Sequence, residues 1–194
     1  VVLSAGSSIE MPWFDYVKGI VHGYLGGQAG ASAMMNVLTG KVCPSGKLNE
    51  TYPLHYEDTP AFHYYPSKER SSEYREALYV GYRYFDTFGV MPLYCFGYGK
   101  SYTEFEMKTI NVTADEKQVQ VEVEVTNIGD KYPGKEVVQV YYSAPDGIME
   151  KPTQELAGFA KTKLLAPGEK DVVTITFATV SYTHLRAHET SAHL

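Results

Sequence analysis

The hydrophobic rhythm of the chain changes about halfway along. In Gln118-Val-Gln-Val-Glu-Val-Glu-Val125 every second residue is valine and every other is polar, a period of two that predicts a strand with one buried face. Asp171 to Phe177 alternates again, with Val173, Ile175 and Phe177 on one face. Thr103 to Val112, Lys135 to Ala144 and Gln154 to Lys161 bring the number of short strands to five, with turns at Tyr132-Pro-Gly134 and Ala166-Pro-Gly-Glu169. Regular spacing of this kind predicts an all-β immunoglobulin-like sandwich beginning near residue 103.

The first hundred residues follow a different pattern. Val1-Val-Leu-Ser4 reads as the end of a buried parallel strand. Val17, Ile20, Val21, Tyr24 and Leu25 fall at helical spacing, which predicts an amphipathic helix entered at Asp15 and ended by Gly26-Gly27. A second helix is predicted over about residues 28–39, closed by Gly40. Lys47 to Tyr52 and Leu78 to Phe85 read as strands, and His55 to Arg75 as a long polar, aromatic loop. Strands mixed with helices predict an α/β sandwich fragment, a partly parallel sheet with flanking helices.

Composition narrows the possible partners. The net charge of −6 disfavours binding to phosphate backbones, so nucleic acid is not an expected partner. No run of eighteen apolar residues occurs, so no membrane-spanning helix is expected. Tyrosine is unusually abundant, 17 residues against one tryptophan, which suits half-buried strands and sugar-facing surfaces alike. Cys43 and Cys95 lack zinc-like spacing, and free buried thiols are expected.

Three groups of motifs occur in order. They are Gly6-Ser-Ser-Ile-Glu-Met-Pro-Trp13 with Tyr24-Leu-Gly-Gly-Gln-Ala-Gly30 and Val37-Leu-Thr-Gly-Lys-Val-Cys-Pro-Ser-Gly-Lys-Leu48, then Tyr79-Val-Gly-Tyr-Arg-Tyr-Phe-Asp86, then Pro92-Leu-Tyr-Cys-Phe-Gly-Tyr-Gly-Lys-Ser-Tyr-Thr103. Together they resemble the C-terminal α/β sandwich of glycoside hydrolase family 3. Gly134-Lys-Glu-Val-Val-Gln-Val-Tyr141, Gln154-Glu-Leu-Ala-Gly-Phe159 and Leu165-Ala-Pro-Gly-Glu169 resemble that family's fibronectin type III-like domain. The expected layout is residues 1–102 in the first domain and 103–179 in the second. The chain departs from the family at Cys95, Lys100 and Ala77, where proline, leucine and glycine are more common.

The resemblance implies retaining hydrolysis of β-glucosides or β-xylosides from the non-reducing end, with an oligosaccharide or glycoside as partner and no cofactor. That chemistry needs two carboxyl groups. In the family the nucleophile lies on an N-terminal barrel and the acid/base in a segment upstream of the strand matching Val1 to Leu3. No catalytic residue is therefore carried over, and the chain alone is expected to be inactive. Glu73, Glu76 and Asp86 are read as ion-pair partners or solvated groups. Trp13, Tyr64, Tyr65 and Tyr74 are the candidate substrate-side residues, since aromatic rings stack on sugar faces; packing against the barrel is the competing role. The alternative function is a non-catalytic carbohydrate-binding or interaction module.

Three patterns mimic other chemistry. Gly26-Gly-Gln-Ala-Gly30 follows a predicted helix rather than a strand, which argues against a phosphate loop. Asn49-Glu-Thr51 and Asn111-Val-Thr113 are glycosylation acceptors in form only. His184, His188, Glu189 and His193 suggest a metal site, but Val180-Ser-Tyr-Thr-His-Leu-Arg-Ala-His-Glu-Thr190 matches the translation of a sequencing-library adapter. Residues 180–194 are expected to be read-through, leaving the sandwich two strands short, prone to association and without a metal site.

Overall fold

A computed structural model describes residues 1–67, 70–145 and 150–179. The chain forms two compact units, an α/β unit followed by a β-sandwich. The first takes Val1–Val42 and Gly46–Gly99; the second takes Cys43–Ser45 and the described residues from Lys100 onward. Among the described residues no helix is long and apolar enough to cross a membrane.

In the first unit, β1 (Val2–Leu3) pairs in parallel with β2 (Val21–His22), Val2 opposite Val21 and Leu3 opposite His22. The predicted parallel strand is present, but Val2 is half-exposed rather than buried. The helix expected over Val17 to Leu25 is absent: a 3-10 turn at Phe14–Tyr16 precedes β2. Gly19 and Gly23 interrupt that segment, each costing a helix about 1 kcal/mol, and the β-branched Val17, Ile20 and Val21 suit an extended backbone. Gly23 also lies against Met34, whose Sδ would stand 2.4 Å from an added Cβ.

The helix α1 (Gly30–Leu38) lies within its predicted span, and Gly40 closes it at φ +74°. Lys47 to Tyr52 forms no regular strand. Its ends bond to the 93–98 segment, Leu48 N–H to the Tyr98 carbonyl at 2.8 Å and Tyr52 N–H to the Tyr94 carbonyl at 2.9 Å. The strand expected at Leu78 to Phe85 is instead α2 (Tyr82–Phe88). Gly81 at φ +58° and Gly89 at φ +64° bracket that helix, and Tyr84 contacts Phe88 at i+4 with centroids 5.2 Å apart. The buried ring within it is Phe85.

Ala77 sits at φ +48°, left-handed backbone that costs an L-residue about 1–2 kcal/mol. Glycine adopts such backbone without that cost, in line with the expectation of glycine at this position. Ala77→Gly is expected to stabilise the first unit by about 1 kcal/mol, read as a rise in its thermal midpoint; an unchanged or lowered midpoint would contradict the strain.

The five strands expected in the second unit are present. One antiparallel sheet orders β3 (Phe105–Ala114), β4 (Gln118–Asn127) and β7 (Lys170–Ala178) with β4 central; β5 (Val137–Tyr142) pairs with β6 (Glu155–Lys161) in the other. The alternating valines do what their period demands. Val121, Val123 and Val125 stand opposite Ile175, Val173 and Asp171, and the core adds Val138 and Leu165. The smaller sheet leaves β3 less covered: Met107 and Val112, paired with Val125 and Val121, are 47% and 58% exposed. Cys43 and Cys95 are free, but neither is buried as expected: Cys43 is half-buried and Cys95 exposed. The Cys43 Sγ lies 3.0 Å from the Ser101 hydroxyl.

Candidate functional site

The aromatic loop after Tyr52 is irregular because Pro53, Pro60 and Pro66 interrupt it and its side chains lack period. It is nonetheless anchored. Asp58 accepts a 3.0 Å bond from His55 N–H at the entry to the 3-10 turn Tyr56–Asp58. The Tyr56 ring meets Phe62 edge-on at 5.0 Å, and its hydroxyl donates to the Tyr65 carbonyl at 3.0 Å. Tyr56 N–H donates to the Glu10 carboxylate, which ties this loop to the one leaving the carboxyl end of β1. The carboxyl ends of parallel strands are where α/β sheets commonly present ligand-binding loops.

His63, Tyr64, Pro66, Ser67, Ser71, Glu73 and Arg75 line an open cleft of about 220 Å³. The Arg75 guanidinium lies 4.9 Å from the Tyr64 ring centroid and is ion-paired with Glu73. Its hydrogen bond to Glu73, then that carboxylate's charge, and a bond to Tyr64 raise the Arg75 pKa, so the group is a permanent cation. Ser67 donates to the Ser71 carbonyl at 2.5 Å. Hydroxyls, an aromatic face and a guanidinium fork make a surface able to hydrogen-bond a polyhydroxylated ligand.

The predicted site residues are not gathered into one cavity. Tyr64 lines the cleft. Tyr65 and Tyr74 are 68% and 84% exposed on the same loop, outside the cleft lining. Trp13 is half-buried, its carbonyl accepting Tyr16 N–H at 3.0 Å at the start of the 3-10 turn Phe14–Tyr16. Glu73 is the partner of Arg75, as the ion-pair reading of that carboxylate expects. Sequence reasoning missed His63, Ser67, Ser71 and Arg75 as cleft residues and Glu10 as an anchor. The Glu10 contact spans 46 residues and has no local signature. Among the described residues no cluster of three His, Cys, Asp or Glu could hold a metal, and His184, His188, Glu189 and His193 lie outside them.

Comparison with known proteins places this geometry among others. Residues 1–102 match the model for the glycosyl hydrolase family 3 C-terminal domain, and residues 136–189 match that for the fibronectin type III-like domain. Thermostable beta-glucosidase B of Acetivibrio thermocellus is 46% identical over 180 residues, 91% of this chain and 24% of that protein. The crystal structure of a Kluyveromyces marxianus beta-glucosidase superposes with a TM-score of 0.88 at 37% identity, covering 91% of this chain and 21% of that one. Beta-glucosidase 3B of Thermotoga neapolitana, solved in complex with glucose, gives a TM-score of 0.85 at 44% identity, covering 92% and 25%. The chain thus spans about a quarter of the length of the relatives it matches.

Proposed function

The chain belongs to glycoside hydrolase family 3, and from that premise we propose that it forms the C-terminal portion of a β-glucosidase-type hydrolase. That enzyme removes β-linked glucosyl or xylosyl units from the non-reducing end with retention. Residues 1–102 contribute the C-terminal part of its α/β sandwich and residues 103–179 its fibronectin type III-like domain. A retaining mechanism needs two carboxyl groups about 5 Å apart across the glycosidic bond. Glu73 is the single carboxylate among the described cleft residues, and Arg75 already holds it. That supports assigning the nucleophile and the acid/base to other parts of the enzyme.

The observation that carries the reading is the anchored aromatic loop, with Tyr64 in the lining of an open polar cleft and Tyr65 and Tyr74 exposed outside that lining. These rings, with Trp13, are proposed to meet the sugar by stacking. In a full-length hydrolase carrying this chain as its C-terminal portion, Tyr65→Ala and Tyr74→Ala are each expected to raise KM about threefold to tenfold with kcat retained. The 194 residues alone are expected to leave an aryl β-glucoside intact; turnover would overturn the assignment of the carboxylates elsewhere. Micromolar binding of cellobiose or xylobiose to the isolated chain, measured by titration calorimetry, would favour a non-catalytic carbohydrate-binding module instead.

A further inference from the structure

We propose that His22, Tyr24 and Tyr52 form a proton-sensitive latch in the first unit. It is closed while the imidazole is neutral, and it releases the turn after β2 and the Tyr52–Tyr94 bridge when His22 takes up a proton.

The three rings meet at the carboxyl end of β2. The His22 ring centroid lies 3.8 Å from that of Tyr24 and 5.9 Å from that of Tyr52, the latter contact edge-on. Tyr52 is 1% exposed, and Thr51 beside it 7%. Both ring nitrogens of His22 and Oγ1 of Thr51 are buried without a hydrogen-bond partner among the described residues, and the buried hydroxyls of Tyr24 and Tyr52 face one another. Tyr24 itself is held at φ +49°, and its carbonyl accepts the Ser4 hydroxyl at 3.2 Å. Backbone strain and unmatched polar atoms at one place mark a closed state held by its surroundings rather than by its own bonds.

A proton on His22 turns both nitrogens into donors and adds a charge at atoms held out of contact with water. Burial accordingly lowers the His22 pKa, and the opposing pull of the Glu50 carboxylate does not overcome it. The facing titratable groups are Tyr24 from its own segment and Glu50 and Tyr52 from the segment before the aromatic loop. Burial first, then Tyr24 and Glu50, push Tyr52 upward, so it stays a neutral phenol. β1 offers only Val2 and Leu3, and α1 sets the Met34 thioether against Gly23.

The sign follows from the direction of the shift. Above the ordinary histidine value of 6.5, His22 is neutral in folded and unfolded chains, and the latch keeps its full stability. As pH falls through that value the unfolded chain binds the proton first, so stability is lost on acidification.

Amide hydrogen exchange on the whole chain, corrected for intrinsic rates, tests this from about pH 7.5 down to about pH 5. The amides of Gly23, bonded to the Leu3 carbonyl, and of Tyr52, bonded to the Tyr94 carbonyl, are expected to lose protection several-fold on acidification. His22→Gln, which cannot take up the proton, is expected to flatten that dependence. Equal pH profiles in the two proteins would overturn the latch. So would flat protection in the unaltered chain. An NMR titration of the unaltered His22 ring serves as the second measurement, with the ordinary histidine value of 6.5 as the reference. A midpoint at or above that value rules the latch out, and one below supports it.

Discussion

Replacing Asn127 with alanine is expected to lower the unfolding free energy of the second unit by about 3–4 kcal/mol, read as a fall in urea midpoint with an unchanged slope. Asn127 is fully buried at the end of β4. Its Oδ1 accepts from the Thr103 hydroxyl at 2.6 Å and from Gly129 N–H at 3.1 Å, while its Nδ2 donates to the carbonyls of Tyr132 and Leu165 at 3.0 and 2.9 Å. One amide thereby satisfies both kinds of group in three loops. Alanine strands the Thr103 hydroxyl, the Gly129 N–H and the Tyr132 carbonyl, while the Leu165 carbonyl keeps the Gly134 N–H at 3.0 Å; each buried group left unmatched costs about 1–3 kcal/mol before any rehydration.

Asn127→Asp separates this account from a simple loss of volume. The carboxylate keeps the acceptor but faces two carbonyls with no hydrogen to donate. Burial and those carbonyls raise its folded-state pKa above the unfolded value, so the variant is most stable below the ordinary aspartate range and weakens as pH rises. A variant as stable as the parent at neutral pH would show that the amide's donors contribute little.

The sandwich was legible because its signal is local and redundant. In β4 the valines alternate without a break, and that alternation fixes which face is buried whatever β4 pairs with. The α/β unit carries weaker local signals. Val17 to Leu25 satisfies helical spacing, yet Gly19, Gly23 and three β-branched residues tip it to a strand that β1 then pairs with. At Leu78 to Phe85 the aromatic run satisfied strand propensity, whereas its flanking glycines, both at positive φ, were the better guide. The candidate site divides the same way. Composition pointed to the Tyr64, Tyr65 and Tyr74 loop, but its anchor, Glu10 on Tyr56 N–H, joins distant residues that share no pattern. Arg75 over Tyr64 is likewise a product of the loop's path and not of its spacing.

In the first unit the most damaging small change is expected to be Gly99→Ala, at about 3 kcal/mol. A Cβ there would lie 2.4 Å from the Gly46 carbonyl oxygen and 3.3 Å from the Lys47 Cα. Backbone cannot rotate aside as a side chain can, so the 46–48 and 97–99 segments must separate. Their separation breaks the bonds of Leu48 N–H to the Tyr98 carbonyl and of Gly97 N–H to the Leu48 carbonyl, each 2.8 Å, and pulls Lys47 Nζ from the Gly99 carbonyl. The damage passes along the same pair of segments to the Tyr52–Tyr94 bridge, from which the aromatic loop departs. Gly27→Ala is the matched control, since its Cβ would meet nothing within 4 Å, and its effect is expected to stay within about 0.5 kcal/mol. Comparable melting of the two variants would show that residues 46 and 99 yield more readily than their backbone contact implies. A large gap, with faster Tyr52 amide exchange in Gly99→Ala, would identify this close approach as what holds the aromatic loop in place.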